Sequence, residues 1–144
     1  RRARGWPRQR MILVEFSDTA DGDGLYRKYG AFRVGGRIVA GHMDVSRGWA
    51  VKDMDILDPV EMAAEIAFVE DNPWKREIET VFALARLDYG RIDFSVRDGR
   101  PVVWEINTNP LLASPASRLP ERRAVSDRVF PQLVAAFADL DASA

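Results

Sequence analysis

Two acids and an amide lie in a stretch whose apolar residues alternate with polar ones. Residues 89–110 read YGRIDFSVRDGRPVVWEINTNP, two runs joined at Asp98-Gly99. Alternation of this kind is typical of half-buried β-strands, and Asp-Gly is a strong hairpin turn signal. The stretch therefore predicts a β-hairpin that carries Asp93 on its first strand and Glu105 and Asn107 on its second.

The register of this hairpin decides what the two acids can do together. A two-residue turn at Asp98-Gly99 would send Asp93 and Glu105 to opposite faces. A three-residue turn over 97–99, with Gly99 in the left-handed conformation, would place them on one face as diagonal neighbours.

The apolar residues favour the three-residue turn, which pairs Val96 with Arg100. That turn forms one dry face by setting Ile92 opposite Trp104 and Phe94 opposite Val102. A slip of one residue would move such an apolar set into water. We therefore predict this register, which also sets Arg91 directly opposite Glu105.

Two carboxylates and an amide oxygen on one face make an all-oxygen site. Mg²⁺ prefers such ligands, takes few of them from the protein, and completes its octahedron with water and phosphate oxygens. A second interpretation is a solvated face on which Arg91 pairs with Glu105 and no metal binds, because surface ion pairs are common and weak. Spacing alone leaves both interpretations open.

Composition limits the classes of protein that need to be considered. The chain has 144 residues, 47% of them hydrophobic and 30% charged, with a net charge of −1, which predicts one soluble domain and favours neither nucleic acid nor membrane as a partner. Without cysteine there is no disulfide framework or zinc thiolate site, and the single His42 excludes a multi-histidine site. No apolar run approaches the roughly 20 residues of a membrane span. These features predict a cytoplasmic protein.

Other segments predict the elements around the hairpin. Residues 1–10 contain five Arg and predict a basic tail or linker remnant, and residues 11–17 predict a short buried strand. A second hairpin is predicted over 25–34 and 37–43 across Gly35-Gly36, with Val34 paired with Arg37 and Tyr29 opposite His42.

Helices are predicted after Asp58-Pro59 and Asn72-Pro73 and over 121–140, where Pro131 marks a kink or the true first turn. Their predicted buried positions are Met62, Ile66 and Val69; Ile78, Val81, Phe82 and Ala85; and Val125, Val129, Leu133 and Phe137. Together the elements predict an α+β fold, a mostly antiparallel sheet covered by helices.

The hairpin motif resembles that of a known enzyme family. Gly90-Arg91-Ile92-Asp93, followed by Trp104-Glu105-Ile106-Asn107-Thr108-Asn109-Pro110, is similar to the metal-binding end of the ATP-grasp ligases, which include D-alanine:D-alanine ligase, glutathione synthetase and biotin carboxylase. The resemblance implies that Asp93, Glu105 and Asn107 hold Mg²⁺ or Mn²⁺ against the phosphates of ATP. It also implies that Arg91 neutralises the acyl phosphate and the tetrahedral intermediate.

The resemblance extends over about residues 11–118 and implies further nucleotide contacts. Glu15, Phe16 and Ser17 would line the purine site, and Arg47 and Lys52 would reach the triphosphate. The family places an acid near the start of the second hairpin to hold the ribose, where this chain has the basic pair Arg27-Lys28, so Asp21 or Asp23 is the substitute. Leu111 stands where the D-alanine:D-alanine ligases have an oxyanion-site Gly, with Ser114 and Ser117 nearby.

The resemblance implies that residues 11–144 form the C-terminal subdomain of an ATP-grasp fold, whose N-terminal lobe is absent from this chain. The expected function is the ATP- and Mg²⁺-binding half of a ligase that joins a small-molecule carboxylate to an amine or a thiol through an acyl phosphate, inactive as this chain alone. The alternative is a non-catalytic binding or scaffold module that keeps the fold. Arg27-Lys28 and Leu111 favour the alternative, whereas the set of Asp93, Glu105 and Asn107 disfavours it.

Overall fold

The computed structural model describes residues 15–51, 56–112 and 120–142, which form an α+β fold. Its four strands are β1 (Tyr26–Val34), β2 (Arg37–Ser46), β3 (Tyr89–Arg97) and β4 (Arg100–Asn107). They form one antiparallel sheet with the strand order β2-β1-β3-β4. Three helices pack on the sheet: α1 (Pro59–Asp71), α2 (Lys75–Ala85) and α3 (Arg123–Ala142), the last preceded by a 3₁₀ turn over Pro120–Arg122. Within these ranges no helix is long and apolar enough to cross a membrane.

The two predicted helix start signals behave differently. Asp58 caps α1 as predicted, because its Oδ1 accepts hydrogen bonds from the backbone N–H groups of Val60 and Glu61. Asn72 was expected to start α2 but instead ends α1 in the left-handed conformation, with a φ of 40°. Helix α2 begins at Lys75 without a side-chain cap.

The predicted buried positions of the helices are mostly confirmed. Val69, Ile78, Phe82, Val125, Val129 and Leu133 are buried, and Met62, Ile66, Val81 and Phe137 are partly buried. Ala85 is exposed, and the buried side of α1 also carries Glu61, Glu65 and Phe68, which the apolar pattern did not include. Pro131 lies inside α3 and not at its first turn.

Helices cover both faces of the sheet, but they leave part of one face open. On the first face, Tyr29 and Phe94 stack at 5.4 Å between ring centroids and contact Phe68 of α1 and the neighbouring Trp74. On the second face, Phe137 of α3 packs against Tyr89 at 6.1 Å. Because side chains alternate along a strand, Arg91, Asp93 and Ser95 follow Tyr89 on the second face, beyond the end that α3 covers.

The first hairpin follows the predicted register only near its turn. Val34 pairs with Arg37, but a β-bulge at Gly41 then shifts the pairing by one residue. His42 therefore stands opposite Gly30, while Tyr29 stands opposite Met43. The prediction that His42 lies opposite Tyr29 is wrong, because the extra residue at the bulge moves His42 to the other face.

The second hairpin has the two-residue turn that the apolar pattern disfavoured. Arg97 pairs with Arg100, and both central residues have positive φ, 52° at Asp98 and 74° at Gly99. Such turns suit the right-handed twist of the flanking strands, and Asp tolerates the left-handed conformation. The predicted three-residue turn is therefore wrong.

A β-bulge in β4 nevertheless brings the acids to one face. Trp104 is the extra residue at this bulge, since Phe94 pairs with Val103 and Asp93 pairs with Glu105. The two acids are thus directly opposite each other and not diagonal. Arg91 stands opposite Asn107 and not opposite Glu105, and Trp104 is absent from the dry face predicted for it.

The predicted first strand over 11–17 is not found in the part of it that the structure describes. Residues 15–17 have no regular structure. Residues 11–14, like the predicted basic tail over 1–10, lie outside the described ranges.

Candidate functional site

A row of four residues, three of them with polar side chains, runs straight across the second face of the sheet. His42, Gly30, Asp93 and Glu105 stand opposite one another on β2, β1, β3 and β4. Both bulges contribute to this row: in a regular first hairpin His42 would lie on the first face opposite Tyr29, and in a regular second hairpin Trp104 would oppose Asp93. Bulges that re-aim side chains in this way are frequent next to functional sites.

The row borders a cleft of about 460 Å³, within the size range of small-molecule sites. Four of its lining residues are charged: Lys28, Arg91, Asp93 and Glu105. The rest of the lining consists of Ser95, Trp104 and residues 49–51, which follow β2. Trp104 is held in place by a hydrogen bond from its Nε1 to Oγ of the buried Ser95, at 2.9 Å.

Asp93 is the most enclosed acid of the cleft, with 7% of its side chain exposed. Arg91 donates to both of its oxygens, from Nε to Oδ1 at 2.7 Å and from Nη2 to Oδ2 at 3.1 Å. Of the two interpretations drawn from the sequence, the ion pair is therefore present, but with Asp93 and not with Glu105. Glu105 is exposed, and no described cation lies within ion-pair distance of it.

Asn107 is the third predicted metal ligand and lies two pairs further along the hairpin, at the next position on the same face. Its Oδ1 accepts the backbone N–H of Asn109 at 2.8 Å, and an amide oxygen has a second lone pair to offer. Among the described residues, no group of three or more His, Cys, Asp or Glu side chains could hold a metal by itself. Two carboxylates and one amide fit Mg²⁺ when phosphate and water complete its coordination.

Lys28 is a cleft residue that the sequence interpretation did not assign. Its side chain is 18% exposed, and Nζ lies 3.5 Å from Oδ2 of Asp44 on β2. Asp44 also accepts from Nη1 of Arg122 at 3.1 Å, so Lys28 shares this acid with a second cation. The alternation along β1 could have revealed Lys28, because it lies two residues before Gly30, on the same face as Asp93.

His42 lies against the backbone of β1. An added Cβ on Gly30 would lie 2.2 Å from Cε1 of its ring, so the ring covers Gly30 directly. Burial lowers the pKa of His42 to about 4, with opposing contributions from the acids Asp44 and Asp93. The imidazole is therefore neutral near neutral pH.

A buried ion pair fixes the elements behind the cleft. Glu65 of α1 is fully buried, and its Oε1 accepts from the backbone N–H of Met43 at 3.1 Å and from Arg122. Burial raises the pKa of Glu65, while the hydrogen bond from Arg122 opposes that rise. Glu65 and Arg122 thus join α1, β2 and the turn before α3.

Residues 15–17, the predicted purine site, are not among the residues that line the cleft, but Phe16 contacts one that is. Phe16 packs edge-on against Trp49, with 5.9 Å between ring centroids, and Trp49 is a lining residue. Ser17 accepts a hydrogen bond from Nη1 of Arg97 at 2.8 Å, and Glu15 is exposed. These contacts attach the segment 15–17 to Trp49, after β2, and to Arg97, at the end of β3.

The two predicted triphosphate contacts lie on the segment that follows β2. Arg47 is exposed and interacts with another group of the protein. Lys52 lies outside the described residues, but the three residues before it line the cleft.

The substitutes proposed for the ribose contact lie elsewhere. Asp21 and Asp23 both pair with Arg27, at 2.6 and 2.7 Å, and Arg27 also binds Glu61 of α1. The hydrogen bonds from Arg27 lower the pKa of Asp23 to about 2. Since α1 covers the first face, this ion cluster is separate from the cleft. Leu111 is exposed, and Ser114 and Ser117 lie outside the described residues.

No protein-family model matches this chain, and no curated protein or solved structure matches it either. A functional assignment therefore depends on the residues of the cleft.

Proposed function

We propose that this chain is the ATP- and Mg²⁺-binding half of a cytoplasmic ATP-dependent ligase that joins a carboxylate to an amine or a thiol. The observation that carries the proposal is the direct pairing of Asp93 with Glu105 in a cleft that also contains Arg91 and Lys28. The resemblance of the hairpin motif to the ATP-grasp ligases supports the same assignment.

The placement of Asp93 favours a binding role over a solvated surface. A carboxylate that is almost fully enclosed loses hydration, which is unfavourable unless charge and hydrogen bonds compensate for it. Folding alone does not require such a group beside a second carboxylate at the floor of a cleft. A divalent cation between Asp93 and Glu105 would offset both negative charges, and Lys28 and Arg91 would then leave the cleft positive. A polyphosphate is the ligand that suits such a charge distribution.

Four side chains have a role in the proposed reaction. Asp93, Glu105 and Asn107 would hold the metal, which would neutralise phosphate charge when bound. An oxygen of the carboxylate substrate attacks the terminal phosphorus of ATP and ADP leaves. The amine or thiol then attacks the acyl carbon, inorganic phosphate leaves, and the proton of the nucleophile passes to solvent. Arg91 donates hydrogen bonds to the oxygens on which negative charge develops in both steps.

The nucleotide base is assigned to the rim formed by the segment 15–17 and Trp49. Phe16 and Trp49 present aromatic surface there, and Glu15 and Ser17 flank Phe16 in sequence. Arg47 and Lys52 belong to the segment that continues from Trp49 and remain the proposed contacts to the outer phosphates.

Because the resemblance covers the second lobe of an ATP-grasp enzyme, we expect no ligase turnover from this chain alone. Preorganised charges act strongly only where water is excluded, and a second lobe would be needed to exclude it. The chain is expected to bind Mg-nucleotide weakly.

Calorimetric titration with ADP, with Mg²⁺ or with EDTA, tests the proposal. We expect Mg²⁺ to raise the affinity for ADP. Asp93→Asn and Glu105→Gln should each lower the ADP affinity measured with Mg²⁺ by about tenfold or more, since charged hydrogen-bond partners contribute about 1.5–3 kcal/mol each. Asp98→Asn is the matched control, because it removes the same charge at the turn of the same hairpin, where Asn is also favoured. Binding of ADP that is indifferent to Mg²⁺ would contradict the proposal.

A second candidate is a binding or scaffold module that keeps the fold without the chemistry. The bidentate pair between Arg91 and Asp93 favours it, because an ion pair of this kind gives both residues a partner without any ligand. This candidate predicts that Asp93→Asn leaves any nucleotide affinity unchanged, so the same titration separates the two functions.

A further inference from the structure

Arg91 occupies both oxygens through which Asp93 would bind a metal. Its Nε lies 2.7 Å from Oδ1 and its Nη2 lies 3.1 Å from Oδ2. A fork-shaped pair of this kind uses one lone pair of each oxygen, so a metal that binds both oxygens of Asp93 from the same side must displace the guanidinium. A divalent cation and the guanidinium, both positive, therefore compete for the same two atoms.

Among the described residues, the other acid of the cleft is Glu105, which is itself a proposed metal ligand. The neighbours of Arg91 across the sheet are Phe32 on β1 and Asn107 on β4, and Oδ1 of Asn107 already accepts from Asn109. In the described part of the chain, Asp93 is the acid within ion-pair distance of Arg91. If a metal displaced Arg91, its guanidinium would therefore need an anion from outside the protein.

We infer that Arg91 is an internal competitor for the metal site, and that a divalent cation binds Asp93 tightly only when an oxyanion in the same cleft receives Arg91. Lys28, which lines the cleft on the adjacent strand, is the second positive contact for that oxyanion. The inference deepens the proposed function and rests on it for the identity of the metal ligands.

The physical consequence is coupled binding of two oppositely charged ligands. A metal alone must break the pair of Arg91 and Asp93 and then lie beside an unpaired guanidinium. An oxyanion alone must enter a cleft that holds two carboxylates. Binding of either ligand removes the obstacle that the other meets. Each ligand must therefore raise the affinity of the protein for the other by the same factor. A cleft of this kind would bind a metal–phosphate complex and exclude free Mg²⁺.

The first experiment measures Mn²⁺ binding by electron paramagnetic resonance in chloride buffer, without nucleotide. We expect Arg91→Gln to raise the affinity for Mn²⁺ about tenfold over the unchanged chain, because it frees both oxygens of Asp93 and removes a positive charge. Arg97→Gln is the matched control on the same strand, where the side chain binds Ser17, and should leave Mn²⁺ affinity unchanged.

Arg91→Lys separates occupancy of the carboxylate from simple repulsion between charges. Lysine keeps the positive charge but lacks the planar fork that binds both oxygens. We expect its Mn²⁺ affinity to lie between those of the unchanged chain and Arg91→Gln. An affinity equal to that of the unchanged chain would show that charge alone keeps the metal away, and would overturn the inference. No increase in Arg91→Gln, with circular dichroism showing a folded protein, would overturn it as well.

The second experiment repeats the Mn²⁺ titration at constant ionic strength with sulfate in place of chloride. Sulfate is a tetrahedral oxyanion that stands in for phosphate. We expect sulfate to tighten Mn²⁺ binding by about fivefold or more in the unchanged chain, an ordinary size for coupling between sites, and to have little effect in Arg91→Gln and a reduced effect in Lys28→Gln. Equal sulfate effects in all three proteins would overturn the inference. Neither experiment uses nucleotide, so failure of the competition is distinguishable from failure of the proposed ADP binding.

Discussion

The single histidine of the chain gives a direct measure of how enclosed the polar row is. His42 has 22% of its side chain exposed, and burial is the largest cause that brings its pKa to about 4 from an ordinary value of 6.5. Asp44 and Asp93 act against that change, while Arg91 and Arg122 reinforce it. Because no other histidine is present, its NMR signal needs no assignment.

A lowered pKa makes folding stability depend on pH. The unfolded chain, with a pKa near 6.5, takes up the proton before the folded chain does, so stability is complete above that pH and is lost as the pH falls through about 4. The difference between the two pKa values of His42 corresponds to about 3 kcal/mol of unfolding free energy. About 2 kcal/mol of this is lost between about pH 7 and about pH 5.

Two measurements check this prediction. The imidazole Cε1–H signal of the folded protein should titrate with a midpoint near pH 4. Urea unfolding should show that the unchanged chain loses about 2 kcal/mol more than His42→Gln between about pH 7 and about pH 5, since the other titrating groups are shared by both proteins. A midpoint at or above the ordinary value, or equal losses in the two proteins, would refute the account of His42 as a neutral ring covering β1.

Two further predictions concern the elements that position the site. Gly30→Ala should destabilise the protein by about 1–3 kcal/mol in urea unfolding, because the new methyl group would overlap the ring of His42. Gly22→Ala, with no atom within 4 Å of the added carbon, is the control and should change stability little. Similar losses in both variants would show that the ring does not lie over Gly30. Asp58→Ala should cost about 1 kcal/mol through loss of the cap of α1, and Asp58→Asn, which can also cap, should cost less. An unchanged unfolding midpoint in Asp58→Ala would argue against that cap.

The sequence was most informative where local pattern and local structure agree. Alternation located both hairpins, and Asp58-Pro59 located the start of α1, because each signal acts within a few residues. Asn72-Pro73 was misread for the same reason. An Asn can cap the start of a helix or end one in the left-handed conformation, and its own sequence neighbours do not decide between the two.

The face shared by Asp93 and Glu105 was predicted correctly for a wrong reason. A three-residue turn and a two-residue turn followed by a bulge both add one residue relative to a plain hairpin, so both keep the acids on one face. In the structure, the bulge places the indole of Trp104 where it binds Ser95 across the sheet. A contact of that kind is tertiary, and residue alternation does not reveal it.

The sequence also did not predict the ion pairs of the cleft. The predicted register set Arg91 opposite Glu105, and their pairing was one of the two interpretations that spacing left open, but the side chain of Arg91 pairs with Asp93 on its own strand. Lys28 departs from the ATP-grasp pattern, and the alternation along β1 indicates its face. The direction that a long cation takes depends on neighbouring strands, and a single sequence does not specify it.

The central claim is that a divalent cation binds between Asp93 and Glu105 in the cleft, and paramagnetic broadening by Mn²⁺ in the presence of ADP tests it most directly. Nε1–H of Trp104 points to Ser95 beside these acids, whereas Trp74 packs against Tyr29 and Phe94 on the opposite face of the sheet. We predict that Mn²⁺ broadens the indole signal of Trp104 and spares that of Trp74, that excess Mg²⁺ restores the signal, and that Asp93→Asn abolishes the effect. Equal broadening of the two indoles, or selective broadening that persists in Asp93→Asn, would contradict the claim.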